Sequence, residues 1–133
     1  MSTRPNLNQA IALDPKFAKA YKHRGDAYSH KALYDLAITD YIQAIVIDSQ
    51  YPDAYLNRAY VLSQVGMLNE AIADYDMIIQ LNSDYVAGAY YGRANLLARQ
   101  GKVDEAFADY GQSIKIDPIT ATRILIVDYC INI

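Results

Sequence analysis

One pattern returns three times along the chain, and it limits the possible folds more than any other feature. Tyr21, Arg24 and Gly25 are followed by Ala37, Asp40 and Tyr41. Tyr55, Arg58 and Ala59 are followed by Ala71, Asp74 and Tyr75, and Tyr90, Arg93 and Ala94 by Ala106, Asp109 and Tyr110. Ala37 and Ala71 are 34 residues apart, and Ala71 and Ala106 are 35 apart. A period of this length marks one small supersecondary unit repeated in tandem. The extra residue falls around Asn82–Ala87, where a connector absorbs it.

Each unit reads as two helices. Tyr55, Ala59 and Leu62 share one face at helical spacing. Gly66 then suits the left-handed conformation that closes a helix, and Ala71, Ile72, Tyr75, Ile78 and Ile79 mark a second helix. Asp35, Asn69 and Asp104 stand before the second helices and are expected as N-caps, because their oxygens satisfy the first amides. Those helices are expected to close at Asp48, Asn82 and Asp117. Gln9 to Pro15 carries the same closing pattern, so residues 8–14 read as the end of a preceding second-type helix. The units span 18–49, 52–83 and 87–118 within one domain, 1–133. One unit cannot bury its apolar face alone, so neighbours stack.

Composition agrees. Hydrophobic residues make up 53% and charged residues 20%, which argues against disorder. Thirteen tyrosines beside no tryptophan and two phenylalanines fit one aromatic slot filled repeatedly. The net charge of −3 is too mild for a nucleic-acid binder. Its distribution is uneven: residues 1–34 carry six basic and two acidic side chains, the rest six basic and thirteen acidic. A single cysteine, Cys130, excludes an internal disulfide. Met1–Asn8 is polar, no signal peptide is expected, and no apolar run nears the ~20 residues that span a bilayer. The expectation is a cytoplasmic protein with no membrane contact.

The repeated residues resemble the tetratricopeptide repeat family. Its pattern places an aromatic early in helix A and a small residue four positions on, then an alanine early in helix B and an aromatic four later. Those slots hold Tyr21, Gly25, Ala37 and Tyr41 in the first unit, and their counterparts in the other two. The resemblance covers roughly residues 8–118. It implies an all-α, right-handed α-solenoid of antiparallel helix pairs with a concave groove that binds protein. Ala32 departs from the pattern where Gly66 and Gly101 end helix A, and Ser49 and Ser83 replace a usual proline.

The groove is expected to be lined by helix A residues outside the core face. These are Lys19, Lys22, His23 and Asp26 in the first unit, with Ser29 beside them. The second unit offers Asp53, Leu56, Asn57, Tyr60 and Ser63, and the third Gly88, Tyr91, Asn95 and Arg99. A basic first part and an aromatic middle suit a peptide or partner protein that is acidic at one end. Some family members hold a chaperone's C-terminal carboxylate. Lys22 and Asn57 match slots of that clamp, but Asp26 replaces an asparagine, and Gly88 and Gly92 fill the basic slots of the third unit. The clamp is not expected. The recurring Arg24, Arg58 and Arg93 are expected to pair with Asp40, Asp74 and Asp109, since an unpaired buried charge costs several kcal/mol.

Other chemistry finds little support. His23, Asp26 and His30 share a helical face, but the histidines lie two turns apart, so no metal is expected. Cys130 has no partners for a catalytic triad, no phosphate loop is present, and neither a cofactor nor catalysis is expected. Residues 119–133 place Ile124, Val127 and Ile131 at the spacing of a fourth helix A, yet are apolar nearly all round. Three readings follow: a capping helix on the third unit, a homo-oligomeric contact through residues 121–133, or continuation of a longer array. The leading function is a protein-interaction module. A self-associating structural protein is the alternative, and an enzyme ranks last.

Overall fold

The structure is a computed structural model and describes residues 6–119. Those residues form seven helices and no strand: α1 (Leu7–Leu13), α2 (Ala18–His30), α3 (Tyr34–Ile47), α4 (Pro52–Gln64), α5 (Leu68–Gln80), α6 (Val86–Arg99) and α7 (Val103–Ile116). The chain divides into two compact units, one ending at Asp74 and one beginning at Tyr75. The fold class is all-α, as the periodicity requires. Residues 120–133, including the expected fourth helix and Cys130, lie outside the described residues.

The helix ends follow from local chemistry. Asn6 caps α1 through a capping box: its side chain accepts from the Gln9 amide at 2.8 Å, and its own amide donates to the Gln9 side chain at 2.9 Å. Pro52 opens α4 at a position where no amide is needed. Helices α2, α4 and α6 end alike. Ala32, Gly66 and Gly101 take positive φ of 58°, 85° and 80°. The next amides, on Leu33, Met67 and Lys102, donate back to the carbonyls of Tyr28, Leu62 and Leu97, each at 2.9 Å. Ala32 makes this turn without glycine's freedom, at a cost of roughly 1–2 kcal/mol.

The expected N-caps require a correction. Helices α3, α5 and α7 begin before Asp35, Asn69 and Asp104, so these residues lie inside the first turn. The cap positions of α3 and α7 are Leu33 and Lys102, with no side-chain cap bond. Inside the first turn, Asp35 and Asp104 favour the helix through its dipole rather than through a cap.

The core of the first unit is built from small residues and rings. Ala37, Ala44, Ala54 and Ala59 are fully buried, and Tyr41 is 1% exposed. Tyr21, Ala44 and Ala54 form one cluster, with Ile11, Ile45 and Tyr51 packed against it. Ala37, Tyr41 and Val61 form another, with Tyr28 and Ile38 against it. In the second unit Ala87, Ala89, Ala94, Leu96, Leu97 and Ala106 are buried. Buried Ser113 on α7 satisfies its hydroxyl by donating to the Ala87 carbonyl of α6 at 2.7 Å.

The arginine–aspartate pairs form as expected. Arg24 donates to both oxygens of Asp40 at 2.7 and 2.8 Å. Arg58 does the same to Asp74 at 2.8 and 2.6 Å, and Arg93 to Asp109 at 2.7 and 2.8 Å. Arg93 also donates to Asp76 at 2.7 Å. The three paired aspartates are buried, and each arginine lies over the tyrosine three residues before it, at 5.6, 5.7 and 5.2 Å from the ring centroid. The fork geometry satisfies both carboxylate oxygens at once, which is what makes their burial tolerable. The hydrogen bond to its aspartate holds each guanidinium above its ordinary pKa.

Burial pushes the Asp74 carboxyl up, while Arg58 pulls it back down. Without Arg58 it should rise further, so the folded state would hold the proton more tightly than the unfolded chain. Stability is then lost as pH rises from the unfolded carboxyl value, about 4, through the folded one. Arg58→Leu should cost about 3 kcal/mol at neutral pH and less in acid. Arg58→Leu with Asp74→Leu should cost less than the two singles together. Urea denaturation of the four proteins across pH checks both points, and additive, pH-independent losses would contradict the pairing.

Candidate functional site

The first unit contains an open cleft of about 490 Å³. Helix α2 supplies Asp26, Ser29 and His30, the left-handed turn supplies Ala32, α3 supplies Tyr34 and Tyr41, and α4 supplies Asn57 and Tyr60. The repeat itself positions these groups. Asp26 lies one turn after Lys22 on α2, and Asn57 lies two residues after the core Tyr55, so its side chain is offset from the buried stripe.

Asp26 is the centre of the site. Its Oδ2 pairs with Lys22 Nζ at 2.8 Å. Its Oδ1 accepts from the Tyr41 hydroxyl at 2.6 Å and from Asn57 Nδ2 at 2.8 Å. The His23 ring approaches Oδ2 only to 4.0 Å. Burial, and then the bond to Asp26, push the Tyr41 phenol well above its ordinary pKa, so it remains a donor. The cleft thus combines a polar floor with exposed aromatic surface on Tyr60, which is 54% exposed.

Of the residues expected to line a groove, Lys22, His23, Asp26 and Asn57 come together around one carboxylate, and Tyr60 lines the same cleft. Lys19, Asp53 and Leu56 do not line it. Lys19 is exposed, and Asp53 and Leu56 are half-buried. In the second unit, Tyr91 tilts against Tyr110 with centroids 5.8 Å apart. The Tyr110 hydroxyl donates to Asn95 Oδ1, and Arg99 is exposed in the last turn of α6. The reading of the sequence missed His30, Ala32, Tyr34 and Tyr41 as lining residues. The repeat pattern reads Tyr41 as a packing aromatic, and its ring is indeed buried. The available signal was its hydroxyl, since a buried phenol needs a partner.

The two glycines in the third unit's basic slots differ. A Cβ on Gly88 would meet nothing within 4 Å, whereas one on Gly92 would lie 2.5 Å from Tyr75 Cζ. A lysine or arginine at position 92 therefore has no room while that ring is in place. Among the described residues, no three His, Cys, Asp or Glu side chains are grouped to hold a metal ion. Among the same residues, no helix is long and apolar enough to cross a membrane.

Paired helices locked by a tyrosine against a small residue define an all-α repeat protein. Family models described as TPR repeat and tetratricopeptide repeat match residues 34–66, 52–85 and 87–119. The chain belongs to the tetratricopeptide repeat family. Among curated proteins none matches it by sequence. The crystal structure of MamA is similar, with 25% identity, a TM-score of 0.78 and 84% of this chain covered; the chain spans 65% of MamA's length, just under two thirds. The second TPR of Spaghetti (RPAP3), solved bound to the HSP90 peptide SRMEEVD, is 26% identical with a TM-score of 0.71, covering 80% of this chain and 98% of that one. The first TPR domain of human RPAP3 is 28% identical with a TM-score of 0.73, covering 84% and 88%.

Tyr41 forms the wall of the cleft and sits against Gly25, where a Cβ would come within 2.8 Å of its ring. Alanine normally stabilises a helix interior over glycine by about 1 kcal/mol. Gly25→Ala should reverse that sign and cost about 1–3 kcal/mol, because Asp26 ties the ring in place. Thermal and urea unfolding measure the difference; a gain in stability would show that Tyr41 moves aside.

Proposed function

We propose that the chain is a protein-interaction module and that the first-unit cleft receives a segment of a partner protein or peptide. The observation that carries this reading is the convergence of Asp26, Asn57 and exposed Tyr60 on one open cleft. An exposed tyrosine offers a large apolar surface and a polar tip with little rotamer entropy to lose. The solved complex of the RPAP3 second TPR with a peptide supports the reading at the level of ligand class.

The finer points are proposals of the same kind. Lys19, Asp53 and Leu56 extend the surface on α2 and α4, and within the second unit Tyr91, Asn95 and Arg99 on α6 offer a binding surface of their own. Lys22 is engaged by Asp26, so Lys19 is the cation that meets an acidic end of the ligand, roughly 10 Å along α2 from Asp26. The role is binding without catalysis.

Selection of displayed peptides on the full chain tests the proposal. Peptides should be enriched that bind with micromolar affinity. Tyr60→Ala should weaken them about tenfold while leaving the unfolding temperature within a few degrees of wild type. Failure to enrich any peptide, or binding indifferent to both Tyr60→Ala and Asn57→Ala, would sink it.

One observation favours self-association as a second reading. Val103, Phe107 and Ile114 on α7 are 53%, 69% and 37% exposed. Phe107 fills the slot that Ile38 fills in the first unit, where the residue packs against the cluster of Ala37, Tyr41 and Val61. If this stripe joins copies, light scattering should show a dimer that Phe107→Glu converts to monomer. A monomer at every concentration would rule self-association out.

A further inference from the structure

Each of the three arginines commits two nitrogens to its aspartate, and the units differ in what the third nitrogen does. Arg24 Nη1 donates to Asn8 Oδ1 at 2.9 Å, and Arg93 Nη1 donates to Asp76 Oδ1 at 2.7 Å. Asn8 and Asp76 occupy one slot of the repeat, and position 42 is the same slot between them, 34 residues from either. It holds Ile42, which offers no acceptor. Arg58 Nε and Nη2 donate to Asp74, and among the described residues Nη1 has no protein acceptor. The Arg58 side chain is 21% exposed, and Nη1 keeps access to solvent.

The slot itself is apolar and open. Ile42 is 44% exposed, and Val46, one turn further along α3, is 72% exposed. A guanidinium donor beside exposed aliphatic surface is matched by a carboxylate that is flanked by apolar side chains. Asn8 and Asp76 show that the fold uses an oxygen at this place wherever the chain supplies one. One stretch of the chain has the matching chemistry. Residues 124–133, which lie outside the described residues, contain a single charged side chain, Asp128, between Val127 and Tyr129.

We propose that residues 120–133 of a second copy dock on α3 of the first unit, with the Asp128 carboxylate accepting from Arg58 Nη1 and its apolar neighbours covering Ile42 and Val46. The inference rests on the self-association reading and gives it a surface distinct from the α7 stripe. Two unlike surfaces meet in this contact, so each docked copy still offers one of them. Copies therefore add head to tail instead of closing as a twofold dimer.

The probe is a dye-labelled peptide of residues 120–133, with Cys130→Ser to prevent oxidation, added to the full chain. Fluorescence anisotropy should show binding that Asp128→Asn in the peptide weakens about tenfold. Ile42→Asp in the protein gives Arg58 an internal acceptor, as Asp76 gives Arg93, and should abolish the difference between the two peptides. No binding, equal affinity of the two peptides, or a difference that persists in Ile42→Asp overturns the inference. If Ile42→Asp fails to fold, wild type still decides. In NMR titration with the peptide the Arg58 Nε–H resonance should shift while those of Arg24 and Arg93 stay, and an unmoved Arg58 overturns the inference.

Light scattering of the full chain should show a mass that grows with concentration, and Asp128→Asn should return it to a monomer. Phe107→Glu separates the two surfaces. Assemblies lost in Phe107→Glu but kept in Asp128→Asn and Ile42→Asp leave the α7 stripe standing and overturn the docking on α3. A wild-type chain that stays monomeric overturns both.

Discussion

A tyrosine ring laid against a residue with little or no side chain sets the spacing of the helices. Tyr41 lies over Gly25, and Tyr75 lies over Gly92, each closer than a Cβ would allow. Neighbouring alanines keep the rest of the contact thin: Ala37, Ala44, Ala54 and Ala59 have no exposed surface. Dispersion and burial along such a contact are large because the backbones come so near. Everything else in the first unit uses the frame this creates. The ring of Tyr41 belongs to the core, and its hydroxyl reaches out of the core to Asp26. One side chain thus ties packing to the floor of the cleft.

The buried ion pairs play a different part. Arg24, Arg58 and Arg93 each satisfy both oxygens of a buried aspartate sixteen positions on. Replacing such a pair with apolar residues is often neutral, so the pairs do not by themselves explain stability. They fix register instead. A slip of one helix along its partner by a single residue would break both carboxylate bonds of a pair at once.

Much of this was legible in the sequence, for a physical reason. The 34-residue period and the small-to-aromatic spacing are direct records of helix packing, so helix pairs and the arginine–aspartate partners could be read from them. Helix starts were less accessible: Asp35 and Asp104 lie within the first turn, because the preceding turn already supplies the backbone geometry that a cap would provide. The candidate site was half legible. Spacing on α2 and α4 gathers Lys22, Asp26, Asn57 and Tyr60, but no spacing rule within one helix shows that three donors from three helices meet at Asp26. Tyr41 reads only as the packing aromatic of its unit, yet its hydroxyl also reaches the cleft, and Tyr34 carries no repeat signal at all although it lies both against the core and in the cleft.

The turn after α2 is made by an alanine, although the same turn after α4 and α6 is made by glycine. The left-handed backbone of Ala32 is strained by roughly 1–2 kcal/mol relative to glycine. Of the three turns, this is the one whose residue faces the cleft. The wall of the cleft thus includes a residue in a backbone conformation that side chains with a Cβ rarely adopt, so a glycine at this position should relax the turn and stabilise the first unit.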